Sequence, residues 1–385
     1  MNKHRDIKWS QSLVETLFAP ADVLINGSRP WDIVVHDEHT FQAVLLEGSM
    51  GLGTSYMNGW WDCAALDEFF FRISRSEKIS KARSLLAFLH QPFANIFAKM
   101  WNAQSRARAK QVADAHYELD TNVFTAMLDP FMQYSCAFFS EQCEKLEDAQ
   151  INKLKLISNK LELTPSDTLL DIGCGWGGLA KFASKNYGCC VTGVNISPAQ
   201  LSFAQNFCSG LPVTFQEKDY RELNGQFSKI VSVGMFEHVG PKNYAKFAEV
   251  IGRCLSQDGL FLLHTITKNH SDHENDPWMD CYIFPNGHVP SFTQIAKATE
   301  DILILEDVHN IGVHYDKTLL AWQKNFEQSW NKIEANFDTR FKRMWNYYLL
   351  ACAGNFRARE LQCCQFLFSK KRTKQAAAGR FPAIS

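Results

Sequence analysis

A chain of 385 residues with 40 Lys and Arg against 41 Asp and Glu carries a formal net charge of -1. It is too long for a disulfide-stapled miniprotein and too balanced for one built mainly to neutralise nucleic-acid phosphates. Hydrophobic residues at 46% and charged residues at 21% exclude wholesale disorder and a fibrous protein, while 29 Phe, 10 Trp and 10 Tyr exceed what a core of this size needs and suit an apolar or cationic substrate.

The opening MNKHRDIKWSQSLVETLFAP has no continuous apolar core of a signal peptide, and no apolar run reaches the roughly eighteen residues of a spanning helix. A cytoplasmic protein with its twelve cysteines as thiols is expected. The sequence has no Cys-x-x-Cys, the adjacent pairs Cys189/Cys190 and Cys363/Cys364 have poor geometry for one metal, and His264, His270 and His273 lack a matching carboxylate or thiol pattern. No metal is expected.

The first 120 or so residues differ in texture from the rest, which divides the chain into domains 1–120 and 121–385. Asp32 to His36 and Phe41 to Glu47 read as short β pieces, followed by the glycine-punctuated stretch Gly48 to Gly53. From Leu85 the apolar positions Leu85, Leu89, Phe93, Ile96 and Met100 recur at helical spacing, with Pro92 as a kink or start. Lys78, Lys81, Arg83 and Lys99 flank that stripe, and Arg106, Arg108 and Lys110 follow it. Two readings stay open: a basic amphipathic surface segment, or a helix packed on its own domain with a solvated charged rim.

After residue 160 strands and helices alternate. Thr168 to Ile172, Cys190 to Ile196, Val213 to Gln216, Lys229 to Gly234 and Leu260 to Thr267 read as strands. Leu179 to Tyr187, Pro198 to Phe207 with Ser197 as N-cap, and Asn243 to Leu255 read as helices. This order predicts a mostly parallel, doubly wound α/β sheet covered on both faces.

Between the first of those strands and its helix stands Leu169-Leu-Asp171-Ile-Gly173-Cys-Gly175-Trp-Gly177-Gly178. Glycines there permit a tight turn and let a ligand approach backbone N–H groups at a helix N-terminus. The spacing satisfies both the dinucleotide pattern and that of S-adenosylmethionine-dependent methyltransferases. Asp171 favours the second, since an anion suits a cationic amino-acid moiety and repels a pyrophosphate. The second strand ends in Asn195 with no ribose-binding acid, so Asn195 or Gln200 is the candidate for the ribose hydroxyls, and Asp219 for the adenine amino group. Each is equally well explained as a cap or a surface polar residue.

Longer blocks carry a resemblance. Gly53-Thr-Ser-Tyr-Met-Asn-Gly59-Trp-Trp61, His116-Tyr-Glu-Leu-Asp120, Met127 to Ala137, Phe236-Glu237-His238-Val-Gly240, Tyr282 to Gly287, His314-Tyr315 and Ala351-Cys352-Ala-Gly354-Asn-Phe-Arg357 resemble, in this order, the cyclopropane-fatty-acyl-phospholipid synthases. That family includes the mycolic-acid cyclopropane synthases. The resemblance implies a Rossmann-like class I methyltransferase domain preceded by a smaller α+β lipid-associated domain. It implies transfer of a methylene group from S-adenosylmethionine to a cis double bond of a phospholipid acyl chain, and it implies Tyr134 and Ser135 beside Gly173, Gly175 and Gly177 at the cofactor. It further implies that Glu237, His264, Tyr315, Cys136 and Ile266 surround a bicarbonate ion that takes the proton, with Cys136 and Ile266 contributing backbone groups. Cys352 is a competing nucleophile or base, and a buried structural thiol is as good a reading. Thr54 stands where the family often has Glu, which puts any role of that carboxylate in doubt.

An alkene is a feeble nucleophile, so such chemistry needs the double bond held in line with the sulfonium methyl where water is excluded. Phe138, Phe139, Trp278, Tyr282 and Phe284 are candidates to line the tunnel and stabilise positive charge, and core packing explains each as well. The methylated cation must then lose a proton, and Glu237 or His264, at the carboxyl ends of strands, could serve or orient a base. Three alternatives remain: a fatty-acyl methyltransferase giving a methyl- or methylene-branched chain, a nicotinamide-dependent oxidoreductase, and a non-catalytic lipid-binding protein. The expected partners are an unsaturated phospholipid and an anionic membrane surface contacted peripherally through Lys78 to Met100 and through Lys370, Lys371, Arg372, Lys374 and Arg380. A homodimer is open, and no nucleic acid is expected.

Overall fold

The computed structural model describes residues 3–77, 79, 121–141, 145–271 and 275–371. The amphipathic stretch from Leu85 to Met100, the cations Arg106 to Lys110 and the C-terminal Arg372, Lys374 and Arg380 lie outside them.

The chain forms two compact units, neither of them one continuous stretch. The first takes Met1–Asn102, Glu274–Pro285 and Leu319–Glu360, and the second takes Ala103–His273, Asn286–Thr318 and Leu361–Ser385. This differs from the division at residue 120, because the late helix Thr339–Arg357 packs on the early helix Leu66–Arg75. Gly354 makes the close approach: a Cβ there would stand 2.5 Å from the Asp67 carbonyl oxygen and 2.7 Å from the Phe70 side chain. Arg357 ties the same pair of helices through Asp67 at 2.7 Å and Glu68 at 3.5 Å.

The first unit is mainly helical, with a small antiparallel ribbon of β1 (Val34–Val35) and β2 (Trp61–Asp62). Phe41 to Glu47, expected as a strand, lies in the helix His39–Glu47, and the glycine-punctuated stretch enters the helix Ser49–Met57. Short-range apolar content could not separate the two states there. Buried Thr40, Phe41 and Val44 follow helical spacing. Gly51 and Gly53 let this second helix sit close to its neighbours: a Cβ at Gly51 would meet the Ala43 carbonyl at 2.0 Å, and one at Gly53 would meet the Trp278 ring at 2.4 Å.

The second unit is the expected α/β sheet. Its strands are β3 (Thr168–Ile172), β4 (Cys190–Asn195), β5 (Val213–Glu217), β6 (Phe227–Val233), β7 (Leu255–Lys268), β8 (Leu303–Asn310) and β9 (Leu361–Lys370), in the order β5-β4-β3-β6-β7-β9-β8. The pairs among β3 to β7 are parallel, and β9 runs antiparallel to both β7 and β8. Alternate residues divide the core. Leu170, Ile172, Ile230, Phe261 and Leu263 face Phe247, Val250 and Ile251 of the helix Tyr244–Cys254. Leu169, Val191, Val231 and Leu262 face Leu154 and Ile157 of the helix Leu146–Lys160 and Leu179, Ala180 and Ala183 of the helix Gly178–Tyr187. By the same pleat Asp171 and His264 point to the second face. Helix Pro198–Phe207 begins as read from the sequence, with Ser197 Oγ accepting from the Gln200 N–H.

Candidate active site

The glycine loop leaves β3 through three left-handed residues, Gly173 (φ 81°), Gly175 (φ 52°) and Gly177 (φ 81°). Gly173 and Cys174 donate their N–H groups to the Val194 carbonyl at 2.8 and 3.1 Å, which ties the turn to β4. A Cβ on Gly173 would strike Met235 at 2.6 Å, and one on Gly178 would lie 1.7 Å from the Phe131 carbonyl oxygen. Gly175 differs: a Cβ there would meet nothing within 4 Å. Of these glycines it is the one turned toward open space, where a ligand can reach the backbone.

The Tyr134–Ser135 segment stands at the same edge. The Tyr134 ring meets Phe124 edge-on at 5.2 Å, and Phe124 in turn meets Trp176 of the glycine loop at 4.8 Å. The Ser135 Cβ lies 3.9 Å from where a Cβ would stand on Gly234, at the carboxyl end of β6. Asn195 and Gln200 are bonded to each other, the Asn195 amide donating to Gln200 Oε1 at 2.7 Å. Asp219 caps a short turn, its Oδ1 accepting from the Arg221 backbone at 2.9 Å and guanidinium at 2.8 Å, so the cap reading holds for that oxygen.

Asp171 is 2% exposed, with Oδ2 lacking a hydrogen-bond partner. Burial pushes its carboxyl up to about 7, against the pull of the Lys153 ammonium. The fixed anion expected from the sequence is therefore a carboxyl poised between its two states near neutral pH, because its strand position buries it.

Glu237 is the middle residue of the 3-10 turn Phe236–His238 that follows β6. Its Oε1 accepts the Ile266 N–H at 2.7 Å, while Oε2 is buried without a hydrogen-bond partner. Burial raises the carboxyl, opposed by the bond from Ile266. The main-chain carbonyl of Glu237 accepts from His288 N at 2.7 Å, and the His288 ring meets the Tyr244 hydroxyl at 2.9 Å. Tyr315 is buried, and its phenol is held well above its ordinary range by burial, with the thiols of Cys363 and Cys136 and the Glu237 carboxyl facing it. Glu237 and Ile266 are thus joined through the Ile266 backbone N–H, and Tyr315 lies within electrostatic reach of Glu237 and Cys136.

His264 is placed differently from the expectation of a free donor. Its Nε2 faces Cys363 Sγ at 3.2 Å and its Nδ1 faces the Gln365 amide nitrogen at 3.4 Å, both from the paired strand β9. Burial, with Lys153 and Lys160 adding to it, drives the ring well below its ordinary value, so it is a neutral imidazole. Cys136 Sγ donates to the Ala137 and Ile311 carbonyls at 3.3 and 3.7 Å, and Ala137 N donates to Thr318 Oγ1.

Cys352 belongs to the first unit, on the helix Thr339–Arg357, and burial pushes its thiol up to about 12. A thiol protonated at neutral pH is a poor nucleophile or base. Cys352→Ser is expected to keep turnover within about threefold of the parent, measured as cofactor consumption on unsaturated phospholipid vesicles; a loss beyond a hundredfold in a folded protein would restore the cysteine to the mechanism. Of the aromatic candidates, Trp278, Tyr282 and Phe284 belong to the first unit, with Trp278 fully buried against Gly53 and 4.4 Å from Tyr347. Phe138 and Phe139 belong to the second, beside His314 at 4.6 and 6.4 Å.

Two residues beneath the Gln133–Ser135 segment escaped the sequence reading, Gln150 and Lys153. Both are polar positions inside the apolar stripe of the helix Leu146–Lys160, and that break in the stripe was the available signal.

A parallel sheet with one antiparallel strand, β9, set between β7 and β8, a glycine turn after its first strand and an acid after its fourth defines a class I S-adenosylmethionine-dependent methyltransferase. Residues 104–366 match the family model for mycolic acid cyclopropane synthetase, and the chain belongs to that family. It is 48% identical over 365 residues to the cyclopropane-fatty-acyl-phospholipid synthase of Escherichia coli K12, covering 95% of this chain and 94% of that one. Two solved structures, the cyclopropane synthase MmaA2 from Mycobacterium tuberculosis and the mycolic acid cyclopropane synthase CmaA1 complexed with SAH and CTAB, each superpose with a TM-score of 0.64. Each is 30% identical, and each match covers 68% of this chain and 98% of the other.

Proposed function

We propose that this enzyme adds a methylene group across the cis double bond of an unsaturated phospholipid acyl chain to give a cyclopropane ring. The observation that carries the reading is Glu237, a buried carboxyl with one oxygen fixed by Ile266 N–H and the other without a partner, among Tyr315, Cys136 and Cys363. S-Adenosylmethionine, held along Tyr134, Ser135, Gly173 to Gly178, Asn195, Gln200 and Asp219, supplies the methyl group as a sulfonium. A bicarbonate ion held beside Glu237 Oε2, the buried oxygen without a hydrogen-bond partner, would serve as the base.

The chain's own residues do the rest. Glu237 would accept the hydroxyl hydrogen of the anion and orient it, while Tyr315 would donate its phenolic O–H. The His264 imidazole carries no charge that would trap the anion, and it offers one N–H, for which the anion competes with Cys363 Sγ. A proton leaving the alkylated carbon would go to that anion, and the burial of Glu237, His264 and Tyr315 would keep water from capturing the cation.

The lipid is met at a membrane surface in this reading, peripherally, with residues 1–120 carrying the lipid-associated part. No helix among the described residues is long and apolar enough to cross a membrane. Lys370 and Lys371 end the described chain, and each cation near an anionic surface contributes about 1 kcal/mol. One experiment tests the whole: purified enzyme, S-adenosylmethionine and vesicles of unsaturated phosphatidylglycerol, at low and high salt, followed by lipid mass spectrometry. A gain of about fourteen mass units per double bond from one methylene, resistant to alkene reduction and slower at high salt, is expected. A product that still reduces as an alkene would replace ring closure by branching, and a rate indifferent to salt and to anionic lipid would remove the electrostatic docking.

A further inference from the structure

Lys153 is fully buried in the helix Leu146–Lys160. Its Nζ donates to Gln133 Oε1 in a short contact and to Ser135 Oγ at 3.0 Å. One turn earlier Gln150 donates its amide to the carbonyls of Gln133 at 3.3 Å and Ser135 at 3.0 Å. The segment they hold is braced from its other end by Asp129, whose carboxylate accepts from Phe131 N and Gln133 N, each at 2.8 Å. The segment also lies directly on the first residue of the glycine-loop helix, where Gly178 has no room for a Cβ beside the Phe131 carbonyl and the Gln133 amide.

A buried ammonium is costly unless its protons and charge are matched. Here the matching groups are the two side chains that flank Tyr134, and the carboxyls Asp129 and Asp171 lie within electrostatic reach. Burial lowers the ammonium to about 8, so at neutral pH it keeps its proton. Toward the proton-transfer residues it makes no hydrogen bond among those described, and its share is electrostatic only, adding to the burial that keeps His264 neutral.

We propose that Lys153 is a positioning residue of the cofactor site, acting through Ser135 Oγ and Gln133 Oε1 to fix the Tyr134–Ser135 segment against the glycine loop. This rests on the reading that S-adenosylmethionine lies along that segment. Without the ammonium, two buried acceptors lose their donor, and the segment pays in order what the cofactor must then restore on binding. Cofactor affinity falls, while the reaction of the bound complex is spared.

The test uses the full chain with Lys153→Met, which keeps the aliphatic length and removes the charge, and Lys153→Arg. Dissociation constants for S-adenosylhomocysteine are measured by calorimetry, with cofactor KM, lipid KM, kcat and melting temperature alongside. For Lys153→Met a rise of at least about tenfold in the dissociation constant and cofactor KM is expected, with lipid KM and saturated kcat within about threefold; Lys153→Arg should recover part of the affinity. Ser135→Ala, which deletes one acceptor, should raise the constant less, and combined with Lys153→Met should add little beyond the lysine change alone. Should Lys153→Met fail to fold, Lys153→Arg and Ser135→Ala carry the measurement.

Wild-type affinity in a folded Lys153→Met protein, or equal losses in kcat and both KM values, overturns the inference. Gly175→Val separates the two levels. Unchanged affinity in that variant removes the cofactor from the loop altogether, whereas lost affinity there beside wild-type affinity in Lys153→Met sinks the positioning role alone.

Discussion

Replacing Glu237 by Gln is expected to lower turnover by about three orders of magnitude or more while leaving S-adenosylhomocysteine affinity within about twofold. The amide keeps the shape and can still accept the Ile266 N–H, so the turn after β6 stays in place. What changes is the second position, Oε2, buried without a protein partner. An amide nitrogen there presents a donor to the hydroxyl of a bound anion that is itself a donor, and orientation is lost. The anion has a direct readout too: stripping bicarbonate from the buffer should slow the wild type and leave Glu237→Gln nearly unaffected. A wild-type rate indifferent to bicarbonate would pass the proton-accepting role to a side chain. Of the neighbours, His264 has both ring nitrogens facing β9 side chains, which leaves Glu237 itself as that side chain.

Gly175→Val is the second large effect, with loss of measurable cofactor binding expected in calorimetry at any accessible concentration, a drop of at least about a hundredfold. Two causes act together. The left-handed φ of 52° is strained for a β-branched residue, and the side chain would project into the space where the ligand meets the backbone. Gly175→Ala is the control, since it adds one methyl group in a direction where no protein atom lies within 4 Å; it should fold and bind more weakly than wild type. Gly178→Ala should instead damage the fold itself, because its Cβ would overlap the Phe131 carbonyl, and a lowered melting temperature would show it. Normal affinity in folded Gly175→Val would dismiss the loop as the binding site.

The α/β sheet was legible because buried parallel strands are short apolar runs and their helices carry a 3.6-residue stripe, two periods that do not mimic each other. β3 and the helix Pro198–Phe207 fall where the sequence puts them. The strand expected over Phe41 to Glu47 failed because seven residues of mixed Val, Leu and Phe fit either state, and tertiary packing against Ser49–Met57 decides. β9 was missed for the opposite reason: Gln362 to Ser369 are all buried, so no alternation marks them. Long-range pairings carry most of the site's detail. Gln365 reaches His264 across 101 residues, and Lys153 reaches Gln133 across 20; no local pattern encodes either bond.

The discontinuous first unit sets a timetable for synthesis. Arg357 meets its partner Asp67 across 290 residues of chain, and at about 5 to 20 residues per second the helix Leu66–Arg75 leaves the ribosome roughly 15 to 60 s before the helix that covers it. During that interval Phe69 and Phe70, buried in the finished protein, have no late helix to pack on, and the sheet of the second unit is translated up to β8 in between. A force-sensing arrest sequence placed downstream should therefore register closure of the first unit only after residue 360 has emerged.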